Sequence, residues 1–182
     1  MICPFIRDNL DILFVGLNPA ETSSEKGHYF STRSDFWNQL YEAGLITESI
    51  NKNEADEKVF RSSEINCNGW QYGITDLVNY LAENKSSKVP VTEEDCKKLL
   101  QNIRKYKPKV VILLHSKVIK WFVEKYLGIK KIKEHGYLGK LIDECNTIFY
   151  NVPFPHGSKI PSSKKIELYK EIKEFLLKNS NC

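Results

Sequence analysis

The sequence predicts an α/β domain built on a mostly parallel sheet with helices on both faces. Short apolar runs, "DILFVGL" and "KVVILLH" the clearest, are too short for helices and read as buried strands. Segments with apolar residues at helical spacing separate them, and strands alternating with helices place a parallel sheet between two helical layers. With 182 residues the chain suffices for one core and not for two ordinary ones, so residues 1–182 are taken as a single domain.

"DILFVGL" is the first strand. Within "SDFWNQLYEAGLI", Phe36, Trp37, Leu40 and Tyr41 recur at helical intervals, with Ser34 or Asp35 as N-cap and Gly44 as stop. The charged "NKNEADEKVFRSSEIN" is expected to form a surface helix or loop. A second strand in "GWQYGITDLVNYLA" ends near Asp76 and Leu77. Thr92 caps the next helix, with Glu94 and Asp95 in its first turns and Pro108 after its end. "KVVILLH" then reads as a central strand, and "SKVIKWFVEKYLG" as a crossover helix stopped by Gly128. The fourth strand, "NTIFYNVPFP", ends in two prolines. The last helix, "SSKKIELYKEIKEFLLK", turns Ile166, Tyr169, Ile172, Phe175 and Leu176 inward.

Apolar residues are 41% of the chain and charged residues 27%, a globular mixture that excludes a disordered segment. No apolar run reaches the length of a membrane span, and "MICPFIRDNLD" lacks the pattern of a secretory signal, so a cytoplasmic protein is expected, nuclear in a host with a nucleus. Cys3, Cys67, Cys96, Cys145 and Cys182 form no CxxC pair and are odd in number, which argues for reduced thiols and against a zinc knuckle or disulfide frame. The net charge of +4 divides unevenly. Residues 1–80 carry 6 Lys and Arg against 12 Asp and Glu, whereas residues 81–182 carry 21 against 11. A basic C-terminal half suits a polyanionic partner, although lysine-rich helix faces are also commonly just solvated.

In open parallel sheets ligands bind beyond the carboxyl ends of the strands. Those ends here read "GLNPAE", "GITDLV", "LLHSK" and "NVPFPHG", so polar groups collect where a site belongs.

The series "ILFVGLNPAETSSEKGHYF…FWNQLYEAGL", "YGITDLV", "KPKVVILLHSK" and "VPFPHGS" resembles the uracil-DNA glycosylase superfamily, and most closely its mismatch-specific and thymine-DNA glycosylase branch. The likeness runs in order over nearly the whole chain and is weakest in the last motif. It implies a three-layer α/β/α sandwich around a four-stranded sheet, hydrolysis of the N-glycosidic bond of a damaged pyrimidine in DNA, and no metal or organic cofactor. The dispersed cysteines argue against the branch that holds an iron–sulfur cluster.

The resemblance assigns roles residue by residue. An enzyme acting on a base must extrude it from the duplex into a pocket. As the glycosidic bond breaks, the sugar becomes cationic and the base anionic, so the site delivers water and stabilises both charges. Asn18 matches the asparagine that positions this water, an amide being a poor base but a good orienting group. The alternative is an Asn that only satisfies the turn before Pro19. Leu17, Pro19 and Ala20 would border the base. Ala20 stands where strict uracil enzymes carry a bulky tyrosine, which implies room at C5. Within "GHYF", Tyr29 and Phe30 would contact the base, and Phe30 matches the aromatic on which it stacks. His28 is expected to hold this loop. Asp76 falls where the base edge is read, or else it caps or orients the loop.

The last motif keeps the Pro-x-Pro-x-Gly skeleton, but Phe154 replaces a catalytic histidine of the strict uracil enzymes and His156 replaces a serine. His156 is a candidate for a DNA phosphate or for the departing base oxygen, with a structural histidine as the competing reading. Gly157, Ser158, Lys159 and Ile160 resemble the loop that fills the space left by the flipped base, with Lys159 or Ile160 as wedge. Ser158, Ser162 and Ser163 could contact phosphate, and Lys117, Lys159, Lys164 and Lys165 fit backbone neutralisation.

These features together predict a monomeric, monofunctional DNA glycosylase whose partner is DNA containing a damaged base. A catalytically weak relative that senses damaged or single-stranded DNA is the alternative, motivated by Phe154 and Asp76. An unrelated nucleotide-binding α/β protein is disfavoured by the absence of a G-x-G-x-x-G or P-loop signature.

Overall fold

The computed structural model describes residues 2–130, 132 and 134–179. Each near-continuous apolar run forms a strand: β1 (Ile12–Gly16), β2 (Tyr72–Asp76), β3 (Val110–Leu113) and β5 (Ile148–Asn151). They pair in parallel, β1 lying between β2 and β3, and β5 lying outside β3. The expected α/β class and three-layer arrangement hold, with one addition to the four-stranded sheet. A fifth strand, β4 (Gly136–Lys140), runs antiparallel to β5 at the edge and gives the order β2-β1-β3-β5-β4. Its register shifts between Tyr137 and Gly139, and Gly136 and Gly139 both take positive φ. Two glycines in five residues remove the β-branched signal by which strands are read.

The α-helices among the described residues are α1 (Glu21–Lys26), α2 (Asp35–Glu42), α3 (Glu93–Tyr106), α4 (Ser116–Val118) and α5 (Ser162–Asn179). A wider-turned π-helical stretch, Ile119–Tyr126, continues α4, and another covers Glu57–Ser62. Thr92 and Asp95 close the expected capping box of α3: Thr92 Oγ1 accepts from Asp95 N at 3.3 Å, and Asp95 Oδ2 accepts from Thr92 N at 2.9 Å.

Alternation along the strands builds two cores. Ile12 and Phe14 of β1, Tyr72 and Ile74 of β2, and Val110 and Ile112 of β3 pack against α2 and α5. Leu13, Val15, Val111 and Leu113 face α3 and the α4 segment. Full burial of each such side chain stabilises by about 1.5–3 kcal/mol, so the sheet is the rigid base on which the strand ends are held.

The segment expected at the surface is a correction. Ala55, Asp56, Val59 and Phe60 are fully buried, and the Phe60 ring packs on Trp37 at 5.7 Å. The charges of "NKNEADEKVFRSSEIN" mask an apolar stripe one turn long. Among the described residues no helix is long and apolar enough to cross a membrane. Cys3, Cys67, Cys96 and Cys145 are free thiols, and Cys182 lies outside the described residues.

Candidate active site

The chain leaves β1 toward β2 and then crosses to β3 on the other side, so the topological switch lies between the carboxyl ends of β1 and β3. A cleft of about 900 Å³ opens there, lined by Asn18, Pro19, Ala20, Tyr29, Phe30, Asp76, His115, Phe154 and His156, among others. Residues from five separate stretches of sequence thus meet in one place.

Asn18 follows β1 directly. Its Nδ2 faces the carbonyls of Pro19 at 2.9 Å, Glu83 at 2.8 Å and Leu81 at 3.4 Å. Three carbonyl oxygens can face only the amide nitrogen, which leaves Oδ1 as an acceptor for the cleft. The two loops that meet here are bonded at further points. Glu83 N donates to the Pro19 carbonyl at 3.1 Å, and Asn84 exchanges hydrogen bonds with Glu21 N and Oε2. Lys117 fixes the next part of the same loop, donating to the carbonyls of Val89 at 2.6 Å and Ser86 at 2.9 Å. Leu17 joins the core on the α3 side while bordering the cleft.

Asp76 ends β2, in register with Gly16. Its residue is 8% exposed, and Oδ2 has no hydrogen-bond partner. Burial pushes the carboxyl up to about 7. The reading in which Asp76 caps a helix or orients the loop finds no support, because its carboxylate makes no such hydrogen bond. The Tyr29 hydroxyl, also lining the cleft, is likewise buried without a partner, and burial followed by the Asp76 charge raises its pKa. Two buried polar groups without partners thus belong to residues of one cleft, and burial without a partner is costly.

Phe30 sits at φ 50°, in the left-handed region that non-glycine residues rarely occupy. Asp56, buried at the N-cap of the Glu57–Ser62 stretch, holds this turn. Its Oδ1 lies 2.9 Å from His28 Nδ1, and its Oδ2 accepts from Tyr29 N at 2.9 Å. His28 therefore holds the loop as expected, with a partner that the sequence left unassigned. One face of the Phe30 ring stacks on buried Phe36, with centroids 4.1 Å apart and planes 23° apart. Phe30 remains half-buried at the cleft.

Phe154 is the centre of an aromatic group, with ring centroids 6.1 Å from Phe30, 5.9 Å from His115 and 5.0 Å from His156. The Pro155 carbonyl beside it is clamped by two buried donors, Gln39 Nε2 at 3.0 Å and Lys165 Nζ at 3.0 Å. His156 is half-buried, and its pKa is lowered first by burial and then by the Arg33 charge, against Asp35. Gly157 turns the chain at φ 71°, after which Ser158 and Lys159 are exposed and Ile160 half-buried at the cleft.

Three expectations about phosphate contacts change. Lys165 is 2% exposed and holds Pro155, so it does not face solvent. Lys117 is bonded to two carbonyls and braces loops rather than presenting a free cation. Ser162 Oγ accepts from Gln39 Nε2 at 3.1 Å. Lys159 stays free on the exposed loop, and Lys164 forms only an exposed ion pair with Glu167 at 3.1 Å. The spacing could have revealed Lys165, which shares its helical stripe with Leu168, Tyr169 and Ile172. His115 also escaped assignment, although its place at the end of β3, beside the switch point, was readable.

The sequence model described as "Uracil DNA glycosylase superfamily" matches residues 3–177, nearly the whole chain. The chain belongs to the uracil DNA glycosylase superfamily. Within its reach is a Schizosaccharomyces pombe protein described as a G/U mismatch-specific uracil DNA glycosylase, 29% identical over 140 residues. That alignment covers 74% of this chain and 40% of the relative, so the chain spans less than half of the relative's length.

Proposed function

We propose that the protein is a monofunctional DNA glycosylase of the mismatch-specific type, which removes uracil or a related deaminated or C5-modified base and leaves an abasic site. The observation that carries this reading is the Asn18 amide, whose nitrogen is fixed by three carbonyls so that Oδ1 is left to accept from a water. The flipped base stacks on Phe30, itself backed by Phe36. Asp76 and the Tyr29 hydroxyl meet the base edge. A protonated Asp76 accepts from N3–H through its carbonyl oxygen and donates to O4 through its hydroxyl.

Bond cleavage sends the glycosidic electron pair onto the base. Water adds to C1′ of the cationic sugar and loses a proton to solvent, and the base anion later takes one up. Among the described residues no lysine lines the cleft, which supports hydrolysis by water rather than through a Schiff base. His156, beside Arg33 at the cleft, suits a DNA phosphate, and Ile160 or Lys159 suits the space vacated in the duplex.

The test is base release from labelled oligonucleotides containing uracil or hypoxanthine, single-stranded and opposite each base, followed by alkaline cleavage. Cleavage by the wild type, lost in Asn18→Ala, is the expected result. Wild-type protein that binds uracil-containing or abasic DNA without releasing base would replace this reading with that of a damage sensor.

A further inference from the structure

A base leaving as an anion is stabilised by a hydrogen-bond donor at a carbonyl oxygen, and Phe154 offers none. The ring of Phe154 is instead flanked by two imidazoles, those of His115 and His156. His115 lies two residues beyond the end of β3, and Leu114 N donates to the Val15 carbonyl at 3.0 Å, so this strand end is bonded to the one that leads to Asn18. The topological switch falls between these two ends.

The tautomer of His115 follows from its neighbour. Nδ1 accepts from Lys117 N at 3.0 Å, and a backbone N–H can only donate, so the proton of the neutral ring is on Nε2. The imidazole also lines the cleft. We propose that His115 is a catalytic residue, its Nε2–H donating to a carbonyl oxygen of the departing pyrimidine on the side of Asn18 opposite Asp76. This rests on the glycosylase reading above and adds a residue to it. Asp76 and His115 flank Asn18 from β2 and β3, so a base with carbonyls on both sides of N3 presents one oxygen to each. Burial and then the Lys117 charge lower the His115 pKa, which keeps the ring a neutral donor that loses no proton in the step.

The experiment compares leaving groups. His115→Ser removes the imidazole Nε2–H from the cleft but keeps a short hydroxyl at the backbone able to accept from Lys117 N, so the cap survives. Single-turnover excision is measured on duplexes containing uracil and 5-fluorouracil, whose anion is the more stable. Loss of an oxyanion donor costs on the order of 100-fold in rate. We expect roughly that loss for uracil and a clearly smaller one, about 10-fold or less, for 5-fluorouracil, with binding to abasic-site DNA unchanged. Because the comparison is internal to one variant, partial misfolding would lower both rates alike. Equal losses on the two bases, or none, overturn the role of His115 while leaving the glycosylase reading standing. A wild type inert on both bases removes both proposals.

Discussion

Gly16 and Asp76 are paired across β1 and β2 so closely that a Cβ on Gly16 would lie 2.2 Å from Asp76 Oδ1. The glycine is required by space and not by backbone conformation. Gly16→Ala should push the carboxyl out of place, costing about 1–3 kcal/mol of stability as overpacking does, and excision should fall with it. Thermal unfolding and single-turnover rates measured on the same sample check both effects.

Asp76→Asn tests the protonated carboxyl directly. The folded pKa of about 7 stands above the ordinary carboxyl value of 3.8, so the stabilising contribution is full below the lower value and is lost as pH rises through the upper one. Wild-type stability should therefore decline across this window, by up to a few kcal/mol, and the amide variant should not show that part of the decline. Uracil excision by the wild type should also weaken above about pH 7, whereas the variant, which donates and accepts at every pH, should keep its rate.

Asn18→Asp separates orientation from basicity. A carboxylate at position 18 would set an oxygen against the carbonyls of Pro19, Leu81 and Glu83. The expected result is a loss of about 1–3 kcal/mol, measured by urea denaturation, because acceptors then face acceptors. A variant as stable as the wild type would contradict the amide orientation.

Salt dependence distinguishes the lysines. Lys159→Met should lower the slope of log affinity against log salt by about one, as loss of one phosphate contact does. Lys165→Met should leave that slope unchanged and lower thermal stability, because its ammonium holds the Pro155 carbonyl.

What the sequence made legible was whatever depends on local pattern. The runs around Val15 and Ile112 announce buried strands, and Asn18 and Phe30 stand in a motif whose order along the chain identifies a superfamily. Partners brought from afar stayed hidden. Nothing near Asp56 signals that it grips His28 and Tyr29 from 27 residues or more away, and no local feature marks the carbonyls of Leu81 and Glu83 as the holders of Asn18. β4 is hard to read because Gly136 and Gly139 thin its pattern. The charge of Lys165 masks its position on the apolar stripe of α5.

The loop from residue 79 to residue 92 has a polar, lysine-containing sequence of the kind that usually tolerates an inserted tag or a new chain terminus. Its carbonyls nonetheless position Asn18, and Lys117 and Asn84 fasten it at two further places. An epitope inserted between Glu83 and Val89, or a protease cut there, would release the Asn18 amide without touching Phe30 or Asp76. For anyone building fusions or permuted versions of this protein, that stretch belongs to the working parts.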